Sequence, residues 1–389
     1  MSRSILISGW RGLPHSYAMV NQHQCLELLR RPDIDLYFED RPLADPSWTR
    51  TSGLFPPSEE ALLNAIPSRP DRVTPDIEFR IAFPYDLVSP PIARRTFVFG
   101  TSEYQFVSPN YIQDRLTLID ALAMHEERMT IVTPSNWSRD GFIASGADPE
   151  RVVVVPHGVD TAVYFAPSAA DRKSARAKHN IADDELVFLN VGAMTGNKNI
   201  AMLLRSFAAV LRSYPKSKLL LKGIDALYRS KSLFMTAALQ SLPGEDAALA
   251  LPKTIYLGGS LSGGEMAEIY HASDCYVSPY TAEGFNLPVV EAAACGLPII
   301  CTAGGPTDEF TTDDFAMRIE SSRVINEMDG VTANSLAPDE VDLKRLMETA
   351  VTNEQFRLEA RISGPSFVEA HLTWKRVVDR LLALFFPGQ

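Results

Sequence analysis

No lysine precedes Lys173 in this chain of 389 residues, and its 37 Lys and Arg are outnumbered by 48 Asp and Glu. The formal net charge of −11 provides no broad positive field of the kind that draws in duplex nucleic acid or an anionic bilayer, so neither partner is expected. Cysteine is scarce too. Cys25, Cys275, Cys295 and Cys301 form no CxxC pair, and four in so long a chain are too few for a disulfide scaffold. They read as buried free thiols in a reducing cytoplasm. The 7 histidines include no His-x3-His or similar spacing, so no bound metal is expected. No run approaches the roughly 18 apolar residues that span a membrane. The short N-terminal run "ILISG" is stopped by Trp10 and Arg11 before a signal-peptide core forms.

What is present is 46% hydrophobic and 22% charged, a globular composition with apolar material for two cores. The length exceeds a comfortable single core, so two domains facing a cleft are the expectation. Short apolar runs alternate with helical patterns, the mark of a mostly parallel sheet covered by helices. In the first half the runs are "ILISG", "DLYFE", "RIAFPY", "TFVFG", "MTIVTP" and "RVVVVP". A helix is expected over "SYAMVNQHQCLELLRR", with Ser16 as its N-cap. The stretch 44–80 is too broken by proline to assign.

At "FAPSAADRKSARAKHNIADDE" the composition turns small and charged, which reads as a linker. A second series follows at "LVFLNVG", "KLLLKG", "TIYLGG", "CYVSPY", "PIICTA" and "AMRI". The expected division is an N-terminal Rossmann-like domain over 1–165, a second over 166–372 and a closing helix over 373–389. That helix, "WKRVVDRLLALFF", carries Val377, Leu381 and Leu384 at the spacing of a helix packed on a domain, although peripheral membrane contact stays open.

Glycine- and proline-rich loops fall at the carboxyl ends of the strands, where open parallel sheets bind ligands. The most informative reads "EGFNLPVVEAAACGLP". Asn286 and Pro288 suit the opening of a helix, and Gly296 and Pro298 suit its end. Glu283 then sits in the loop before the helix and Glu291 in its second turn, about 7 Å beyond Asn286 at 1.5 Å per residue. The backbone amides near Phe285, Asn286 and Leu287 are donors at the positive end of the helix dipole and suit phosphate. A carboxylate on either side suits the vicinal hydroxyls of a nucleotide sugar. Two glutamates alone read more readily as a cap and a solvated helix residue. The upstream loop "NVGAMTGNKNIAMLLRSF" adds Lys198, a cation placed to neutralise a diphosphate, where a mere surface lysine would oppose the helix dipole.

Together "EGFNLPVVEAAACGLPI", "VGAMTGNKNIAMLLRSF", "VVPHGVD" and "TWKRVVDRLL" resemble the retaining family 4 (group 1) glycosyltransferases of the α/β GT-B fold, strongly over the second domain and mainly in layout over the first. The resemblance implies transfer of a sugar from a UDP- or GDP-linked donor to a glycan, lipid-linked or small-molecule acceptor, with retention of anomeric configuration and no further cofactor. It implies that Glu283 faces the donor sugar, that Glu291 holds the ribose, and that Lys198, with Asn197 and Gly284 to Leu287 around it, meets the diphosphate. The closing helix is implied to cross back onto the first domain.

Two departures stand out. Ala193 and Met194 occupy the place of a family arginine, which shifts weight to Lys198 and to Lys222. The first-domain His-Asp is absent, and "FVFGTSEYQF" offers Glu103 in its stead. The loop "GWRGLPHSYAMVN" is expected to line the cleft, with Gly12 allowing backbone to approach phosphate and His15 near the helix start. Asp33-Ile-Asp35 copies a metal-binding Asp-x-Asp but stands at the entrance of a strand rather than its exit. A nucleotide-sugar epimerase or hydrolase, and a non-catalytic nucleotide-sugar-binding subunit, remain rival readings.

Overall fold

The computed structural model describes residues 3–124, 129–328 and 331–388. Twelve of the expected apolar runs form two six-stranded parallel sheets. The first holds β1 (Arg3–Gly9), β2 (Ile34–Asp40), β3 (Ile77–Ile81), β4 (Arg95–Phe99), β5 (Met129–Thr133) and β6 (Val152–Val154), in the order β2-β1-β3-β4-β5-β6. The second holds β7 (Leu186–Val191), β8 (Ser217–Lys222), β9 (Thr254–Leu257), β10 (Cys275–Ser278), β11 (Ile299–Thr302) and β12 (Ala316–Ile319), in the order β12-β11-β10-β7-β8-β9. Both faces of such sheets are covered by helices, which is why β1, β3 and β10 are buried at nearly every position instead of alternating.

The chain divides into two compact units: residues 1–158, 325–334 and 374–389, and residues 159–324 with 335–373. In the first unit, Ile5, Ile7, Phe79, Phe97, Phe99 and Ile131 are buried at the sheet. The helix Trp374–Phe385 belongs to this unit and lies against the helix Ser16–Leu29. Its Phe385 ring sits 4.6 Å from Phe97 and 5.5 Å from Phe79, centre to centre. Arg95 donates to the last carbonyls of that helix, Leu384 at 3.3 Å and Phe385 at 3.1 Å, favourable for a cation at a helix C-terminus.

The second unit has its main apolar layer between β7, β8 and the helix Ile200–Ser213, with Phe188, Leu203, Leu204, Phe207, Leu219 and Leu221 all buried. The segment expected as a linker is a helix here. Ser168 and Asp171 form a reciprocal capping box that starts the helix Ala169–Lys178, and Arg172 and Arg176 both reach Asp274 at the foot of β10, at 2.6 and 3.1 Å. The small and charged residues that read as a linker instead form a helix that buries Ala175 and Arg176 and is anchored by its arginines. The chain passes between units at Gly158 and Val159, ahead of the expected 165/166 division.

Three further differences have local causes. β3 uses Ile77–Ile81, because Pro84 cannot donate to a ladder and ends the run early. The proline-broken 44–80 stretch contains the helix Pro57–Ala65, which uses its proline at the first position, where the missing N–H costs nothing. Beyond β12, β13 (Ser321–Met328) and β14 (Val331–Pro338) form a separate two-stranded sheet; β13 is polar and partly exposed, with no apolar run to signal it.

Candidate active site

In the second unit, the loops after β7 and β10 are stitched together by one residue. Asn197 donates its amide to the Ala282 carbonyl at 3.0 Å, and its own carbonyl accepts from the Thr281 amide at 2.8 Å. Thr195 donates to the Asn197 side-chain oxygen at 2.6 Å. Asn197 is thus a buried brace, and it sets its neighbour Lys198 against the residue after Ala282.

That residue is Glu283. Lys198 Nζ donates to Glu283 Oε1 in an ion pair whose carboxylate is 5% exposed and whose lysine is 18% exposed. Lys198 sits in a 3-10 turn, Gly196–Lys198, that ends with Asn199 in the left-handed region before the helix Ile200–Ser213 begins. Its stem runs over Gly192: a Cβ placed on that glycine would come within 3.3 Å of Lys198 Cε. The glycine of "NVGAMTGNK" therefore makes room for the lysine itself.

The helix predicted after Glu283 runs Leu287–Ala294, with Pro288 in its first turn. Asn286 precedes it at φ 81° and ψ 66°, a left-handed conformation that Asn tolerates better than most residues, and its buried amide donates to Ser278 Oγ at 3.0 Å. Phe285 stacks on Phe310 with ring centres 4.5 Å apart, and Gly284 beside it is buried. Among the described residues, no acceptor meets the backbone amides of Asn286 and Leu287. Two donors thus open at the helix start.

Glu291 lies in the second turn as expected, but it is not a solvated helix residue. Tyr270 donates to Glu291 Oε2 at 2.6 Å, and Tyr164 bonds it too, with the two phenol rings 5.8 Å apart. Burial pushes the Glu291 carboxyl up to about 7, and the two phenol hydrogen bonds only partly oppose this. Tyr164 and Tyr270 went unrecognised in the sequence, because an isolated tyrosine, in a loop or in a helix, carries no local sign of its partner.

Lys222 ends β8 in register with Val191, and its carbonyl accepts from the Gly192 amide at 2.9 Å. It is 5% exposed, and burial pulls its ammonium down to about 8. Met194, in the Ala193–Met194 stretch where the resemblance implies an arginine, is buried at φ 59°. The Ala193 carbonyl accepts from Ser230 at 2.9 Å.

The remaining expected residues belong to the first unit. Gly12 has φ +67°, its amide donates to Gln22 Oε1 at 3.0 Å and its carbonyl accepts from Thr51 at 2.6 Å. Glu103 is exposed, and its carbonyl accepts from the Trp137 indole at 2.9 Å. His15, not Ser16, caps the helix Ser16–Leu29: its Nδ1 accepts from the Tyr17 amide at 3.2 Å. Its ring lies among Trp10, Tyr17 and Trp48, a structural setting. Asp33 is engaged by Arg3. Among the described residues, no three His, Cys, Asp or Glu side chains gather to hold a metal, and no helix is long and apolar enough to cross a membrane.

Residues 171–325 match the family described as "Glycosyl transferases group 1". A D-inositol 3-phosphate glycosyltransferase from Kineococcus radiotolerans is 34% identical over 171 residues, which is 44% of this chain and 38% of the relative. The chain spans about half the length, or less, of the curated relatives it matches. Among solved structures, sucrose-phosphate synthase from Thermosynechococcus elongatus superimposes with a TM-score of 0.70 at 16% identity, covering 98% of both chains. Anabaena HepE, crystallised with UDP and glucose, gives 0.66 at 14% identity, covering 98% of this chain and 99% of that one. At such identities the likeness is one of fold, and the fold is GT-B.

Proposed function

We propose that this protein is a glycosyltransferase that takes a sugar from a nucleoside diphosphate donor and passes it, with retained anomeric configuration, to an acceptor hydroxyl. The observation that carries the reading is the Lys198–Glu283 ion pair beside the open amides of Asn286 and Leu287. A cation and a helix N-terminus converging on one point form an anion site, and stabilising a departing diphosphate is the main electrostatic task of the reaction. HepE carries UDP and glucose in its crystal structure, which supports a UDP-linked donor here, with GDP as the second candidate.

In this reading Lys198 and the helix amides neutralise the leaving diphosphate, and Glu283 orients Lys198 while facing the donor sugar. Glu291 accepts from the ribose hydroxyls. The departing phosphate oxygen takes the proton of the acceptor hydroxyl, so no protein base is required, and neither is a metal. The acceptor is a glycan, a lipid-linked sugar or a small molecule.

The test is thermal unfolding against UDP, GDP, ADP and their common sugars, followed by transfer assays with the donor that binds. A ligand at 100 times its dissociation constant adds about 2.7 kcal/mol. A selective shift, then a glycosylated product whose anomeric configuration matches the donor's, is the expected result. No shift with any nucleotide would overturn the donor site. Binding without transfer to any acceptor would point instead to a subunit that serves a partner transferase.

A further inference from the structure

A charge as buried as that of Lys222 is ordinarily paired, since an ammonium removed from water needs a counter-charge or a full set of acceptors. Lys222 has neither. Its Nζ donates only to the carbonyl of its neighbour Gly223, leaving two of its three donors unmatched, and it forms no ion pair among the described residues. Asp225 is near enough to favour the charged form but is engaged elsewhere: it accepts from the Lys231 amide at 2.8 Å and from the Tyr256 hydroxyl at 2.7 Å. Burial lowers its affinity for the proton, and Asp225 opposes this by favouring the charged form.

Its position gives the cation a purpose. Lys222 is the last residue of β8, at the carboxyl edge of a parallel sheet. It pairs with Val191, and its carbonyl holds the amide of Gly192, the glycine that Lys198 crosses. Both lysines thus border Gly192, Lys198 through its side-chain stem and Lys222 through its backbone carbonyl. Val191 and Lys222 point to one face of the sheet, and Tyr276 of β10 shares it, because Tyr276 pairs with Leu189. The Tyr276 hydroxyl returns to the Val191 carbonyl at 3.4 Å.

We infer that Lys222 is a second cation for the donor, with a phosphate of the nucleoside diphosphate as the anion that completes it. This rests on the donor-binding reading of the Lys198 loop. An ammonium that is costly to bury in the free protein and matched in the complex contributes binding that a pre-paired lysine would not.

The experiment measures dissociation constants of UDP, UMP and uridine, and of the guanine series, for the full chain, Lys222→Met, Lys222→Gln and Lys198→Ala, with thermal midpoints of the ligand-free proteins. Expected is a loss of diphosphate affinity in both Lys222 variants of about tenfold to a hundredfold, with nucleoside affinity unchanged. Lys222→Met should also raise the ligand-free midpoint, because methionine fills the space without the buried charge. An equal loss for nucleoside and diphosphate, or a lowered midpoint with unchanged diphosphate affinity, would overturn the inference. If Lys198→Ala loses diphosphate affinity and the Lys222 variants do not, Lys222 is excluded while the site stands. If the unaltered protein binds no nucleotide, the donor-site reading itself fails.

Discussion

Glu283 accepts a hydrogen bond from Lys198 across a sequence separation of 85 residues, and both belong to loops at the carboxyl ends of adjacent strands. Removing either partner leaves the other charge poorly matched, so Glu283→Ala should lower stability by about 3 kcal/mol, the low end for a buried pair, because Lys198 keeps some solvent. A double-mutant cycle with Lys198→Ala, read by urea unfolding, should show coupling of at least about 1 kcal/mol. Additive effects would mean the pair is not formed in solution. In turnover, Lys198→Ala should cost roughly a hundredfold, as when one oxyanion donor is lost.

Gly192 can be probed without touching a charged group. A valine there crowds the Lys198 stem, which already lies 3.3 Å from where a Cβ would stand. Gly192→Val should weaken nucleotide diphosphate binding while far-UV circular dichroism stays unchanged. Undiminished binding would show that the stem can shift freely.

Glu291 makes stability depend on pH. Burial raises its carboxyl to about 7 from the ordinary 4.5, so the folded state holds its proton more tightly than the unfolded state between those values. Stability from this group is present below about 4.5 and is lost as pH rises towards 7. Glu291→Gln should remove that loss, so its thermal midpoint should gain on the unaltered protein from pH 5 to pH 7 and run parallel above. Nucleotide affinity should fall in the same variant, since an amide is a poorer acceptor for ribose hydroxyls. A midpoint difference independent of pH would show that the carboxyl is ionised throughout.

His157 predicts the opposite slope in the first unit. It is buried against Phe99 and Trp374, and burial lowers it to about 3 from 6.5. The unfolded state therefore takes up the proton first, and stability is lost as pH falls from 6.5 towards 3. Hydrogen exchange at pH 7 and pH 5 should show β4 and the helix Trp374–Phe385 losing protection at the lower pH, less so in His157→Gln. Equal protection at both values would count against a buried neutral imidazole.

Phe385 ties the last helix to the first sheet. Its replacement by alanine should cost about 3 to 5 kcal/mol, the range for a deleted buried phenyl ring. Denaturant unfolding checks it, and a cost below 1 kcal/mol would mean the helix is not docked in solution.

The twelve parallel strands were legible because a strand covered on both faces is written as an uninterrupted apolar run, as in "LVFLNV" and "CYVS". Lys198, Glu283 and the helix opening at Asn286 were legible because loop, cap and charge coincide there. Partnerships were not. Nothing local announces that Tyr270 and Tyr164 meet Glu291, or that Asn197 braces two loops, since those contacts are set by how helices lie across the sheet. The helix Ala169–Lys178 was misread for a related reason: Arg172 and Arg176 look solvated until Asp274 is placed between them. His15 was legible as lying near the helix start, but not as the cap, which its Nδ1 provides by accepting from the Tyr17 amide.

The helix Trp374–Phe385 completes the first unit although every residue of the second unit precedes it along the chain. On a translating ribosome, the first sheet must therefore wait with the apolar surface around Phe79 and Phe97 uncovered while the second unit is made and folds. The order of maturation is the reverse of the order of synthesis, and a nascent chain stalled before Trp374 would present an open greasy face to chaperones.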